Sequence, residues 1–92
     1  MLSPNHCVSQ SKDIACRTIN EETFIISPEG EMLFHLLNPT GTRVWELLDG
    51  RSIEEVVSTI YEEFDVDREN ALEDVVAFIT ELADKELVVI SV

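Results

Sequence analysis

The sequence lacks any hydrophobic run long enough to cross a membrane. A membrane-spanning helix needs about 20 consecutive apolar residues, and the 92-residue chain contains no such stretch. Residues 1–12 also lack the basic start and the apolar run of a secretory signal peptide. We therefore expect a cytoplasmic protein that does not interact with a membrane.

Cysteine and histidine are scarce, with two of each in the chain. Cys7 and Cys16 have no second close Cys or His pair, which a zinc site requires, and a disulfide between them is not expected in the cytoplasm. Residues 65–76 resemble a calcium loop, but Asn70 stands where Gly is required and Val76 where the bidentate Glu belongs. We predict no metal site and no other cofactor.

Motifs for catalysis are also missing. No Ser or Cys lies in a recognisable nucleophile motif. The three glycines, Gly30, Gly41 and Gly50, lie at predicted turns or helix boundaries, so they form no phosphate-binding loop. His35 is the one histidine in a predicted element, and a strand His is usually a packed or surface residue. We predict that the protein has no catalytic residues and is not an enzyme.

Basic residues are few: 6 Lys and Arg stand against 19 Asp and Glu, for a net charge of −13. Residues 52–86 hold twelve of the acids and two bases, Arg68 and Lys85. This charge repels nucleic-acid phosphates and anionic membranes, whereas it attracts a basic peptide or protein surface. The composition therefore argues against a nucleic-acid partner.

The N-terminal half of the sequence predicts a small β-sheet. Residues 1–13 have no periodicity and predict a flexible tail, followed by a single domain over residues 14–92. Strands are predicted over residues 15–19, 23–27 and 31–37, the last two joined by a turn that starts at Ser27.

The strand over residues 31–37 has one apolar face and one mixed face. Side chains alternate with period two, so we expect the apolar face to lie in the core, namely Met32, Phe34 and Leu36. The other face, which is typical of a strand that awaits a partner, holds Glu31, Leu33, His35 and Leu37.

The C-terminal half of the sequence predicts three helices and a short last strand. Apolar spacing predicts helices over residues 41–48, 53–64 and 68–84, and Ser52 with Glu55 forms a capping box. In the third helix the apolar positions cover about 160° of arc, which indicates either deep burial or one wall of a groove. The predicted fold class is α+β and resembles a winged helix-turn-helix: a three-stranded N-terminal sheet, a three-helix bundle and a short strand over residues 87–92.

The most specific feature is the run LNPTGTRVWELLDG, from Leu37 to Gly50. It resembles the pattern of the PqqD family: Leu-Asn, a small capping residue, an aliphatic residue before Trp, and Asp-Gly before a capped helix. The resemblance implies a precursor-peptide recognition element. Such proteins bind the leader of a ribosomally synthesised peptide and deliver it to a modifying enzyme, often a radical S-adenosylmethionine enzyme, in the synthesis of pyrroloquinoline quinone or another product.

The resemblance further implies that the leader pairs with the edge of the third strand and lies against the third helix. A free strand edge can template another chain, and strand addition draws specificity from alternate side-chain pockets. The predicted peptide-binding residues are Glu31, Leu33, His35 and Leu37 on the strand and Asp74, Val75, Phe78, Ile79, Glu81 and Leu82 on the helix. Asp74 and Glu81 are placed to meet basic residues of the leader.

Two other hypotheses stay open at this point. A winged-helix fold suits a DNA-binding regulator, although the third helix offers little beyond Arg68 to phosphates and guanine edges. The chain can also be a structural subunit of a larger biosynthetic complex. An exposed strand edge can pair with its own copy, so a homodimer also stays open.

Overall fold

The computed structural model describes residues 3–20, 22–36 and 39–91. In chain order the elements are strands β1 (Cys7–Gln10), β2 (Ala15–Ile19), β3 (Glu22–Ile26) and β4 (Met32–Leu36), helix α1 (Pro39–Glu46), strand β5 (Asp49–Ser52), helices α2 (Ile53–Glu63) and α3 (Arg68–Asp84), and strand β6 (Val88–Ser91). None of the helices in these ranges is both long and apolar enough to span a bilayer. The predicted α+β architecture of a three-stranded sheet, three helices and a C-terminal strand is confirmed.

One sheet has the order β5-β1-β6, with β1 in the middle and antiparallel to both neighbours. Val8 in β1 is fully buried, and Ser9 pairs with Val89 of β6. The prediction of a flexible tail over residues 1–13 is therefore wrong for Cys7–Gln10. The strand is short and largely polar. It is held by pairing with segments 40 or more residues away, which leaves no local signature in the sequence.

The other sheet has the order β2-β3-β4 and is also antiparallel. Its second hairpin closes as predicted. The Gly30 N–H donates to the Ser27 carbonyl at 2.9 Å, and the Ser27 N–H donates to the Glu31 carbonyl at 2.8 Å. Gly30 has a φ of +91°, which suits a residue without a Cβ. This hairpin makes β4 the last strand of its sheet.

A β-bulge in β4 changes the face of the sheet on which the side chains before it lie. Ile25 pairs with Phe34, but the next residue, Ile26, pairs with Met32, so Leu33 is the extra residue of the bulge. One extra residue reverses the facing of the positions beyond it. Met32 therefore lies on the outer face beside Ile26 and is 61% exposed. Its predicted place in the core is wrong, whereas Leu36 is buried as predicted.

Helix α1 packs against β3, and helix α3 contacts β4 through Phe78 and Phe34. The Ser52–Glu55 capping box of α2 is present with both reciprocal contacts. Helix α1 begins at Pro39, earlier than predicted, because proline fits the first helical position, where its missing N–H has no partner to lose. Asp67 precedes α3 as predicted, but its side chain makes no capping hydrogen bond. The core joins residues of all three helices and both sheets, including Val8, Ile25, Trp45, Ile60, Val75, Ile79 and Leu82.

Candidate functional site

Strand β4 presents an unpaired edge. It bonds to β3 on one side, and in the described ranges no strand occupies the other. Its backbone N–H and C=O groups on that side are therefore free to accept an additional strand. No residue between Met32 and Leu36 is a proline that would interrupt such pairing.

Helix α3 lies close to this edge. The rings of Phe34 on β4 and Phe78 on α3 meet edge to face, with centroids 6.3 Å apart. The Lys85 ammonium lies 5.8 Å from the Phe34 ring centroid. We refer to the junction of β4 and α3 formed by Phe34, Phe78 and Lys85 as the β4–α3 cleft.

The predicted strand residues occupy different positions along this edge. Glu31 is exposed and its N–H donates to the Ser27 hydroxyl, while Leu33 is the exposed bulge residue. His35 stacks on Phe24 with ring centroids 4.2 Å apart, and its Nε2 lies 2.9 Å from the Glu22 carboxylate. Because His35 pairs with Phe24 rather than Ile25, it faces away from α3.

The sequence prediction also named Leu37, which lies outside the described residues.

The predicted helix residues divide by burial. Asp74 and Glu81 are exposed, and Phe78 is half-buried in the cleft. The other three, Val75, Ile79 and Leu82, are at most 2% exposed and belong to the core. The wide apolar arc of α3 therefore reflects deep burial for these three, and the predicted helix residues with exposed surface are Asp74, Phe78 and Glu81.

Sequence reasoning missed two residues of the cleft. Phe34 was assigned to the core by its alternation, and it is in fact partly buried where the sheet edge meets α3. Lys85 could have been singled out from the sequence, because it is one of only two basic residues in the strongly acidic segment 52–86. Both lie where the open edge of β4 meets α3.

A cavity of about 340 Å³ opens beside the cleft. It lies between the start of α1, the end of α2 and the first half of α3, and Phe78 belongs both to its wall and to the cleft. Its lining residues are Thr40, Gly41, Val44, Ile60, Val66, Ala71, Asp74, Val75 and Phe78. The described residues hold no cluster of three or more His, Cys, Asp or Glu arranged for a metal ion.

An ion pair connects α1 and α2, two of the helices that line this cavity. The Arg43 guanidinium on α1 donates from Nε and Nη2 to the two carboxylate oxygens of Glu63 on α2, both at 2.8 Å. These hydrogen bonds lower the pKa of the Glu63 carboxyl below its ordinary value, and they raise the pKa of Arg43. Paired, planar contacts of this kind orient the two side chains as well as attract them.

The chain is similar to known proteins in sequence and in fold. The family model described as "Coenzyme PQQ synthesis protein D (PqqD)" matches residues 22–88. Among solved structures, the chain is similar to TbiB1 in complex with the TbiA(beta) leader peptide, at 33% sequence identity and a TM-score of 0.76, over 87% of this chain and 93% of that chain. A comparison with curated proteins gives no match. The family model spans most of the sequence and the structural likeness extends over nearly all of it, and the chain therefore belongs to the PqqD family.

Proposed function

We propose that this protein is an adaptor that binds the leader of a ribosomally synthesised precursor peptide as an added strand on β4. The observation that carries the proposal is the unpaired β4 edge beside α3. The likeness to TbiB1, solved with a leader peptide, supports it, because the two chains share one fold at 33% identity.

Strand addition assigns different tasks to the backbone and the side chains. Main-chain hydrogen bonds to β4 supply affinity that depends little on the leader's sequence. Alternate side chains of the leader point to opposite faces, so one set reaches the cleft at Phe34 and Phe78 and the other lies beside His35 and Met32. Specificity then comes mainly from the cleft, where side chains are desolvated.

Charge favours a leader with basic residues. Asp74 and Glu81 project from α3 within a segment of strongly negative charge. Opposite charge steers association, and salt screens this effect at exposed sites. We therefore expect affinity for a basic leader to fall as ionic strength rises. The same charge does not favour the DNA-binding alternative.

The adaptor presents the captured peptide to a peptide-modifying enzyme, such as a radical S-adenosylmethionine enzyme, which supplies the chemistry. The pathway is the synthesis of pyrroloquinoline quinone or of another ribosomally derived product. We place this step in the cytoplasm, where a newly made precursor peptide is available.

The test is a titration of ¹⁵N-labelled protein with the leader of the precursor peptide encoded beside it. We expect amide shifts concentrated in residues 31–36 and 72–82. Phe78→Ala should weaken binding about tenfold or more. The control is Leu72→Ala, which truncates another partly buried apolar residue of α3 away from Phe34.

Two results would overturn the proposal. One is the absence of shifts at millimolar leader. The other is an equal response to a peptide of the same composition in scrambled order, which indicates charge attraction without strand addition.

A further inference from the structure

The bulge in β4 lies in the strand that carries the open edge. Ile25 pairs with Phe34, whereas its neighbour Ile26 pairs with Met32, so Leu33 is an extra residue without a partner of its own in β3. No proline interrupts β4, but a bulge also disrupts a strand ladder, because the extra residue bends the strand and increases its local twist.

The hairpin before the bulge shows which backbone groups of β4 point to the open edge. In an antiparallel pair of strands, hydrogen-bonded and non-hydrogen-bonded residue pairs alternate, and the backbone groups of the second kind point away from the partner strand. The Ser27 N–H donates to the Glu31 carbonyl at 2.8 Å, so this pair bonds across the hairpin. The next pair joins Ile26 to Met32. Met32 therefore directs its N–H and C=O to the open edge.

The same alternation continues past the bulge. Ile25 and Phe34 form the next hydrogen-bonded pair, and Phe24 and His35 then form a pair that does not bond. His35 therefore also directs its N–H and C=O to the open edge. Between these two edge residues, Met32 and His35, the chain has two residues where a regular strand has one.

This irregularity divides the open edge into two parts. Because the bulge bends and twists β4, the outward groups of Met32 are rotated relative to those of His35. A regular strand that bonds to His35 is thereby directed away from Met32. Bulges that twist an edge in this way are one of the means by which proteins limit pairing at exposed strands.

We propose that the bulge at Leu33 ends the backbone pairing of the bound leader, so that the leader bonds to His35 and the end of β4 beyond it and leaves the strand edge before Met32. The inference rests on the proposed function. It makes Leu33 a positioning residue that acts through its extra backbone unit, because it sets the point on the protein at which the leader departs from the sheet.

Amide hydrogen exchange of the wild-type protein tests this end point directly. The ligand is the leader of the precursor peptide encoded beside the protein. Leader binding should slow exchange of the His35 amide about tenfold or more and change that of the Met32 amide less than about twofold. Equal slowing of both amides would overturn the proposal.

Deletion of Leu33 should make the edge continuous. The residue pairs on either side of the bulge then become consecutive steps of a regular ladder, and the other residues of β4 keep their partners and their faces. The leader should now slow exchange of the Met32 amide as well as that of His35. By calorimetry it should bind about tenfold more tightly, because further backbone hydrogen bonds form. Damage to the sheet would instead weaken binding.

Leu33→Ala is the matched control, because it keeps the extra residue and truncates only a side chain that is 38% exposed. It should leave exchange of the Met32 amide as in the wild type and give no gain in affinity. A gain equal to that of the deletion assigns the effect to the side chain and refutes the proposal. Thermal melts verify that both variants fold, and if the deletion variant does not, the exchange measurement on the wild type decides.

Two further outcomes separate this inference from its alternatives. If the deletion variant sediments as a dimer without leader and binds leader no more tightly, the bulge protects the edge from a second copy, and its role as a stop for the leader is refuted. If the leader slows Met32 and His35 alike in the wild type, the stop is refuted and strand addition stands. If it slows no amide of β4, strand addition itself is refuted, and the stop with it.

Discussion

Replacing Trp45 tests the role of the run LNPTGTRVWELLDG, the most specific feature of this sequence. Trp45 is 1% exposed, and its indole Nε1 has no hydrogen-bond partner among the described residues. It lies in α1 against the core and is absent from both the cleft and the cavity lining. The structure therefore assigns it to stability rather than to peptide contact.

The magnitude follows from burial and from the unpaired N–H. A buried Trp removes about 150–250 Å² from water, which at 25 cal/mol per Å² stabilises by about 4–6 kcal/mol. The unpaired N–H offsets about 1–3 kcal/mol of that, while the void left by truncation adds to the loss. For Trp45→Ala we therefore expect a loss of about 3–5 kcal/mol. Trp45→Phe keeps a ring and removes the N–H, so it should cost less than about 1.5 kcal/mol.

Urea unfolding measured by far-UV circular dichroism is the assay, because Trp45 is the one tryptophan and both variants lose its fluorescence. A domain of this size has about 5–14 kcal/mol of stability, so the Ala variant should remain folded but close to its transition. The reasoning fails if Ala and Phe cost the same, or if Ala costs less than about 1 kcal/mol. Leader affinity of the Phe variant should equal that of the wild type.

Three further predictions concern the scaffold. Deletion of residues 1–10 removes the middle strand of a sheet, so the truncated chain should lose its cooperative urea transition; a transition like that of the full chain contradicts this. Ser52→Ala removes the cap of α2 and should cost about 1 kcal/mol, measured by urea unfolding, whereas Ser52→Thr should cost much less. Hydrogen bonds from Arg43 lower the pKa of Glu63, so this pair stabilises the fold near neutral pH, and its contribution is lost as the pH falls through that lowered pKa. By carboxyl ¹³C NMR, Arg43→Gln should move the Glu63 midpoint upward, and an unchanged midpoint refutes the assignment.

Local periodicity predicted the elements that are set by local interactions. The helices α2 and α3 and the capping box at Ser52 follow from apolar spacing and a hydroxyl–carboxylate pair, which act within one or two turns. The hairpin turn at Ser27 follows from the conformational preferences of Pro and Gly.

Elements set by distant pairing were not predictable in the same way. Strand β1 is short and polar, and its neighbours β5 and β6 come from far along the chain. The bulge at Leu33 reverses the facing of Met32 without interrupting the alternation of residue types. A period-two reading therefore placed Met32 on the wrong face.

The sequence names the elements of the candidate site, but it does not give the contacts within it. The strand edge and α3 were named from the family resemblance. The cavity was not, because its walls come from α1, α2, α3 and the α2–α3 connection, and no single segment carries its pattern. Burial of Ile79 and Leu82 likewise depends on which side of α3 the other helices cover.

The two sheets contribute differently to the structure around the cleft. The β2-β3-β4 sheet supplies the open edge, whereas the β5-β1-β6 sheet holds the helices that face it. Strand β5 leads directly into α2, and β6 follows α3 through a turn in which the Leu87 N–H donates to the Leu82 carbonyl at 2.9 Å. Because β1 bonds to both β5 and β6, it fixes the start of α2 relative to the end of α3. The N-terminal strand therefore links the start of α2 to the end of α3, the helix that carries Phe78, without contributing a residue to the cleft.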